Sequence, residues 1–250
     1  MNPVYDRDGI TVYLGDCRDV LPTLDAVDHV ITDPPYNVSE EDSDIRHVGT
    51  GELAQRRDFG EWDRDEWHPG ELLAEAHRLM RKGGSLLAFT SDRLLSAYRT
   101  NPGFAPRGTI VWEKTNPPPT PRPAYVSATE WIVWLQKPGS RAVWNGSGFT
   151  INLLRYPICG GAERAGHPTQ KPEALIRELI ERHTDPGDVI LDPFGGSLTT
   201  AVACKQLGRR CITVELDEGY VQAGIKRLEA TTLPLFVLAP EKPVQEGLAL

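Results

Sequence analysis

Short apolar runs rich in β-branched residues alternate with stretches of helical spacing along most of this 250-residue chain, and that alternation restricts the fold more than any other feature. Thr11–Leu14, Asp28–Asp33, Ser85–Thr90, Gly108–Trp112, Glu130–Leu135, Val189–Leu191 and Cys211–Val214 have the length and composition of buried strands. Between them, apolar spacing predicts helices from about Glu66 to the Gly83–Gly84 stop, over Asp92–Thr100, from Glu173 with Pro172 at its start, over Ser197–Leu207 and over Glu218–Leu228. Such an order predicts an α/β fold with a mostly parallel central sheet and helices on both faces, because each crossover helix must cover the sheet it returns to. The Pro-rich run Asn116–Pro123 cannot be helix or central strand, since proline has no N–H to donate. Residues 137–170 read as irregular, 39–65 as a polar, acidic, mobile loop, and the tail from Thr231 as peripheral.

The net charge of −8 argues against a nucleic-acid partner only if it is taken as a sum. Residues 1–75 carry −13, 76–104 carry +4, 105–171 carry +5 and 172–250 carry −4, so the middle of the chain is basic. That asymmetry permits a localised nucleic-acid surface, although a solvated face produces similar imbalance. No run approaches the roughly 18 apolar residues of a membrane span, and the first residues lack a signal-peptide pattern, so a cytoplasmic protein is expected. The four cysteines include no C-x-x-C pair, and neither a disulfide framework nor a metal site is expected.

In open α/β sheets ligands bind beyond the carboxyl ends of the strands, and three unusual sequences fall there. Asp33-Pro34-Pro35-Tyr36 fixes a carboxylate and the Pro34 carbonyl beside one aromatic ring. This set suits a planar nitrogenous ring carrying an exocyclic amine; an ordinary strand-terminating turn is the alternative. Asp192-Pro193-Phe194-Gly195-Gly196-Ser197-Leu198-Thr199-Thr200 joins a strand to a helix through glycines, a turn that lets backbone approach a ligand closely. It lacks the G-x-G-x-x-G fingerprint, which disfavours an NAD-dependent oxidoreductase. Glu215, at the end of the next strand, can bind the two hydroxyls of a ribose, or the acids from Glu215 to Asp217 can simply cap the following helix. The ordered pair suggests a nucleoside-bearing cofactor.

These motifs in this order resemble the β-class of S-adenosylmethionine-dependent DNA amino-methyltransferases. Asp33–Tyr36 is similar to that family's [DNS]-P-P-[YFW] catalytic motif, and Asp192–Thr200 to its D-P-F-x-G-S-G-T-T cofactor motif, except that Leu198 stands at the last glycine. His167-Pro168-Thr169-Gln170-Lys171-Pro172 resembles a further cofactor segment, and Gly15-Asp16-Cys17 the short motif whose aspartate lies near the cofactor's adenine. The likeness spans residues 10–230. It implies a Rossmann-like methyltransferase fold with circularly permuted motif order: one catalytic domain over 1–250 with a small target-recognition insertion at about 114–166. Glutamine methyltransferases with a related motif place it after the cofactor turn, whereas here the catalytic motif comes first, which favours DNA.

The resemblance implies methyl transfer from S-adenosylmethionine to N6 of an adenine flipped out of double-stranded DNA, with Asp33, Pro34, Pro35 and Tyr36 catalytic. Asp16, Cys17, His167, Thr169, Gln170, Lys171, Asp192, Phe194, Gly195, Gly196, Ser197, Thr199 and Glu215 are then the expected cofactor residues. Lys114, Asn116, Arg122, Arg141, Arg155 and Arg164 are the expected DNA contacts, with Asn145 as a further base reader. Trp112, Trp131 and Trp134 lie on expected strands and read as core. A leucine at 198 would crowd the cofactor if backbone must approach it there, and would be tolerated if the position already lies in the first helical turn. N4-methylation of cytosine, and a non-catalytic protein on the same fold, are the alternatives, and a homodimer is allowed.

Overall fold

A computed structural model describes residues 1–35, 68–117, 125–147, 149–167 and 169–233. It contains nine strands, β1 (Tyr5–Arg7), β2 (Ile10–Leu14), β3 (His29–Thr32), β4 (Ser85–Thr90), β5 (Ala105–Lys114), β6 (Thr129–Gln136), β7 (Leu153–Tyr156), β8 (Val189–Asp192) and β9 (Arg210–Glu215). They form one sheet in the order β1-β2-β9-β8-β3-β4-β6-β5-β7. The five central neighbours β2, β9, β8, β3 and β4 pair in parallel, as expected. β6 then runs antiparallel to both β4 and β5, and β7 pairs in parallel with β5.

Among the described residues six α-helices cover the two faces: α1 (Cys17–Val20), α2 (Pro69–Leu79), α3 (Leu95–Arg99), α4 (Glu173–His183), α5 (Thr199–Leu207) and α6 (Glu218–Ala230). Leu175, Ile176, Leu179 and Ile180 of α4 pack with Ala201, Val202 and Cys204 of α5 and Val221 and Leu228 of α6 on one face. Cys17 and Val20 of α1, Leu72, Leu73, Ala76 and Leu79 of α2 and Tyr98 of α3 pack on the other. This is the Rossmann-like, doubly covered architecture that the alternation of strands and helices required. Among the described residues no helix is long and apolar enough to cross a membrane.

Three features depart from the expectations. α2 ends at Leu79, not at the glycine pair, because Met80 turns to extended backbone and bridges to Val27. Gly84 is instead a site of close approach: a Cβ there would lie 2.3 Å from the Asp28 carbonyl oxygen. The stretch expected to be irregular contains β7, an edge strand held on one side only by β5. The loop at 39–65 and the tail from 234 lie outside the described residues.

Leu198 is the residue before α5, with φ 59° and ψ 32°, the left-handed conformation that glycine adopts without a Cβ penalty. Its side chain is fully buried in the core and lies over Gly224 of α6, where a Cβ would come within 2.3 Å of Leu198 Cγ. The leucine therefore turns inward, and the missing side chain at 224 makes its room. Leu198→Gly should relieve about 1 kcal/mol of backbone strain but lose about 3–5 kcal/mol of buried side chain. The net expectation is destabilisation of about 2 kcal/mol or more, seen in thermal melts as a Tm lowered by about 5 °C or more. An unchanged or raised Tm would contradict this.

Candidate active site

β3 and β8 are neighbours, registered with His29 opposite Ile190 and Val30 opposite Leu191, so the chain segments that leave them emerge side by side. Pro34 and Pro35 end β3 because neither can donate to the ladder. At the shared end the Thr32 hydroxyl donates to Asp192 Oδ1 at 2.7 Å, and the Phe194 N–H donates to the same oxygen at 3.2 Å. The Asp33-Pro34-Pro35 segment and the Asp192–Ser197 turn, some 160 positions apart, are thus fastened together. Asp192 is almost fully buried, and burial pushes its carboxyl up to about 7 against the opposing pull of the Thr200, Thr32 and Phe194 hydrogen bonds.

Behind Asp33 lies a chain of charges in which Lys171 is buried and Glu130 and Lys114 are half-buried. Lys171, in the segment just before α4, places Nζ 2.5 Å from Asp33 Oδ2 and 3.3 Å from Glu130 Oε2. The other oxygen of Glu130, at the start of β6, takes the ammonium of Lys114 at 2.8 Å. Lys171 also sits over the Phe89 ring, 5.1 Å from its centroid, and only 7% of it is exposed. Burial alone would lower the Lys171 ammonium, but the carboxylates of Asp33 and Glu130 more than offset it and hold the group above its ordinary value. Burial likewise pushes Glu130 up, and Lys171 and Lys114 together bring it below the usual carboxylate range. Lys171, expected with the cofactor residues, has its ammonium on the Asp33 carboxylate instead. Glu130 and Phe89 were not singled out from sequence.

The Asp192–Ser197 turn, the expected cofactor site, is built around Glu215. Its Oε2 accepts the Gly196 N–H at 2.6 Å and its Oε1 the Asp217 N–H at 2.8 Å. Burial raises its pKa against those two bonds. A carboxylate has about four acceptor positions, so two backbone bonds leave capacity for a diol. Helix capping, the alternative role, falls to Asp217, whose Oδ1 accepts from Tyr220 N. Gly195 has to lack a side chain, because a Cβ would lie 2.4 Å from Thr213 Oγ1. The His167 ring lies edge-on to Tyr220 at 4.4 Å between centroids, beside Gly196. Burial and the neighbouring Lys171 pull its pKa down to about 4, so the ring is neutral at physiological pH.

Several expected cofactor residues turn elsewhere. Cys17 points into the core, with its thiol pushed up to about 12 by burial and by Asp16. Asp16 caps α1 through Arg18 N and pairs with the Arg18 guanidinium at 2.6 Å, though it stays beside Glu215 because Gly15 N donates to the Glu215 carbonyl. The Gln170 amide closes its own loop, accepting from Ala165 N and donating to Glu163 O. Arg227 of α6, not recognised from sequence, donates to the Ser197 carbonyl at 2.7 Å and to Thr199 Oγ1 at 3.1 Å, and so holds the turn from below. Phe194 packs against the core, and the Thr169 N–H donates to His167 Nδ1 at 3.3 Å.

The expected DNA contacts divide by position. Arg155 and Arg164 lie at the carboxyl end of the sheet and are exposed, Arg155 pairing with Glu113 at 2.9 Å. Three others need correction. Lys114 is spent on Glu130 rather than offered to phosphate. The Arg141 carbonyl abuts Gly83, at the amino end of β4, roughly 20 Å of strand away from Asp33. Asn145 donates to the carbonyls of Glu181 and Thr184 at the end of α4, and so pins a loop. Asn116 keeps a place at the carboxyl end, where its Oδ1 accepts from Ile158 N at 2.7 Å. Trp112 is buried, as expected of core; Trp131 and Trp134 are half-buried. Tyr36 and Arg122 lie outside the described residues.

A family model described as DNA methylase, of the N6/N4 type, matches residues 27–160 and 143–226. The chain belongs to this family. Among similar proteins, a putative methylase, YubD, of Escherichia coli (strain K12) is 34% identical, with 86% of this chain and 88% of that protein covered. The structure of an M1.HpyAVI–SAM complex superposes with a TM-score of 0.68 at 30% identity, covering 88% of this chain and 98% of that one. The cytosine-N4-specific PvuII DNA methyltransferase shares the fold, with a TM-score of 0.70 at 20% identity over 96% of this chain and 91% of its own. The DNA methylase thus carries the Asp33-Pro34-Pro35 segment and the Asp192–Ser197 turn after adjacent strands of one sheet.

Because the folded state raises Asp192 from its ordinary value to about 7, it takes up a proton that the unfolded chain has released. This contribution to stability is therefore full below about pH 4 and is lost as pH rises to about 7. Asp192→Asn, which cannot ionise, should gain stability relative to the parent methylase over that interval. Tm values at pH 5 and pH 8 would show the difference between variant and parent shifting in the variant's favour by about 5 °C or more at the higher pH. A pH-independent difference would contradict the assignment.

Proposed function

We propose that this methylase transfers a methyl group from S-adenosylmethionine to the exocyclic N6 amine of an adenine flipped out of double-stranded DNA. The observation that carries the proposal is the fastening of the Asp33-Pro34 segment to the cofactor turn through Thr32 and Asp192. S-adenosylmethionine, when bound, supplies a methyl group on a sulfonium as the electrophile. The residues present fit such a guest: Glu215 has acceptor capacity for the ribose hydroxyls, and Gly195 and Gly196 keep side chains out of the turn. Adenine N6 is a poor nucleophile because its lone pair is conjugated with the ring. Asp33 and the Pro34 carbonyl, accepting its two N–H bonds, favour a more tetrahedral nitrogen and free that pair for attack. Fixed acceptors at the position where positive charge develops are then the main catalytic contribution, with positioning second.

Aspartate at the first motif position leans toward adenine. The likeness to a cytosine-N4-specific enzyme keeps cytosine as the second reading, since the same acceptors serve either amine. DNA contacts are assigned to the carboxyl end, where Arg155, Arg164 and Asn116 sit and where the β5–β6 and β7–α4 connections emerge. The target-recognition part of 114–166 is accordingly restricted to these two connections, because β6 and β7 belong to the sheet.

Expression in a methylation-deficient bacterial strain, followed by modified-base sequencing and nucleoside mass spectrometry, is expected to yield N6-methyladenine at a short recurrent site. N4-methylcytosine would replace the first reading by the second. Asp33→Ala should lower kcat by about 1,000-fold or more while calorimetry shows S-adenosylmethionine binding within about threefold of the parent. Retained turnover would remove Asp33 from the chemistry.

A further inference from the structure

Asp33 is the only carboxylate of the catalytic motif, yet it is tied into charges from three other elements. A solitary aspartate after a strand end can rotate about two side-chain bonds, and a flipped base needs its acceptor at one place. Lys171 Nζ grips Asp33 Oδ2 at 2.5 Å from the segment before α4. Glu130 of β6 holds the same ammonium at 3.3 Å, and Lys114 of β5 neutralises the far side of Glu130 at 2.8 Å. The floor is the Phe89 ring of β4. Inside a protein an ion pair of this kind seldom adds net stability over apolar packing, so its retention at the reacting carboxylate needs another explanation.

We propose that Lys171 and Glu130 are positioning residues for methyl transfer: Glu130 anchors the Lys171 ammonium, which holds Asp33 as an oriented, ionised acceptor for the amine of the target base. This rests on the function proposed above. Neither residue has to touch the base or the cofactor. A carboxylate has about four acceptor positions, so the grip of one ammonium is compatible with accepting from the amine, and a neighbouring positive charge disfavours the protonated form, which would present a donor to a donor.

Among the described residues, the groups facing Lys171 include Asp33, Glu130 and, beyond it, Lys114, with neutral His167 on its own segment and the Phe89 ring below. Removing the charge of Glu130 takes away one of the two carboxylates that hold the ammonium up, while burial and Lys114 still act against it. Lys171 should then deprotonate at a lower pH than in the parent. The decisive variant is Glu130→Gln, assayed with methyl-labelled S-adenosylmethionine and genomic DNA from a methylation-deficient bacterium. Its kcat at pH 7.5 is expected to fall about 10–100-fold with both KM values within about threefold, as for a loosened catalytic group. Between about pH 8 and 10 its kcat should fall further, where the parent's stays level. A folded Glu130→Gln protein with the parent's kcat and the parent's pH profile would overturn the proposal.

Should Glu130→Gln not fold, Glu130→Asp keeps the charge but shortens the reach. It is expected to lose part of kcat without the alkaline fall, and parental kcat in that variant would equally overturn the proposal. The two levels of inference separate cleanly. A parent enzyme that leaves DNA unmethylated refutes the proposed function, whereas an active parent with an indifferent Glu130 refutes only the positioning role.

Discussion

Parallel pairing of β3 with β8 is the constraint on which the rest of the molecule depends. Parallel neighbours point their carboxyl ends the same way, so whatever follows the two strands must share one end of the sheet. Each strand is buried on both faces, which explains why both read as continuous apolar runs. The Thr32–Asp192 hydrogen bond then closes the last few ångströms between the two loops. With burial raising the Asp192 carboxyl toward neutrality, this bond is made where a full negative charge would be costly beside Asp33.

Around that junction the protein handles charge in two ways. On the cofactor side, Glu215 is satisfied by backbone N–H groups, which are rigid and sit in the turn itself. On the Asp33 side, the carboxylate is balanced by a side-chain ammonium 138 positions away in the chain and steadied by a second carboxylate. Backbone donors fix a shape; a partly buried ion chain fixes a protonation state as well. Under the proposed function, the first device suits a cofactor turn of defined shape and the second a defined acceptor for the reacting amine.

Leu198 shows how a departure from a motif is accommodated. A left-handed backbone position ordinarily favours glycine, and a leucine there carries strain. The cost is offset because the side chain fills core space opened by Gly224, 26 residues away on another helix. Only the pair makes sense, and only the packing reveals it.

The parallel core was legible from the sequence because strand and helix periodicities are local properties, and the motifs at the strand ends were legible because proline and glycine mark sharp turns wherever they stand. β7 was not, since a four-residue edge strand among glycines and asparagines has no period long enough to read. Nor could spacing separate Lys114 from Arg155, which differ not in type but in what lies within reach: one meets a half-buried carboxylate, the other lies at the exposed edge. Glu130, Lys171 and Arg227 are ordinary charged residues in the chain, and their tasks arise from contacts across 30 to 138 positions. What the sequence determined alone was the order of elements and the chemistry of the loops. Which charges meet was decided by the tertiary structure, because a Coulomb interaction depends on distance and burial, and neither exists until the sheet has formed.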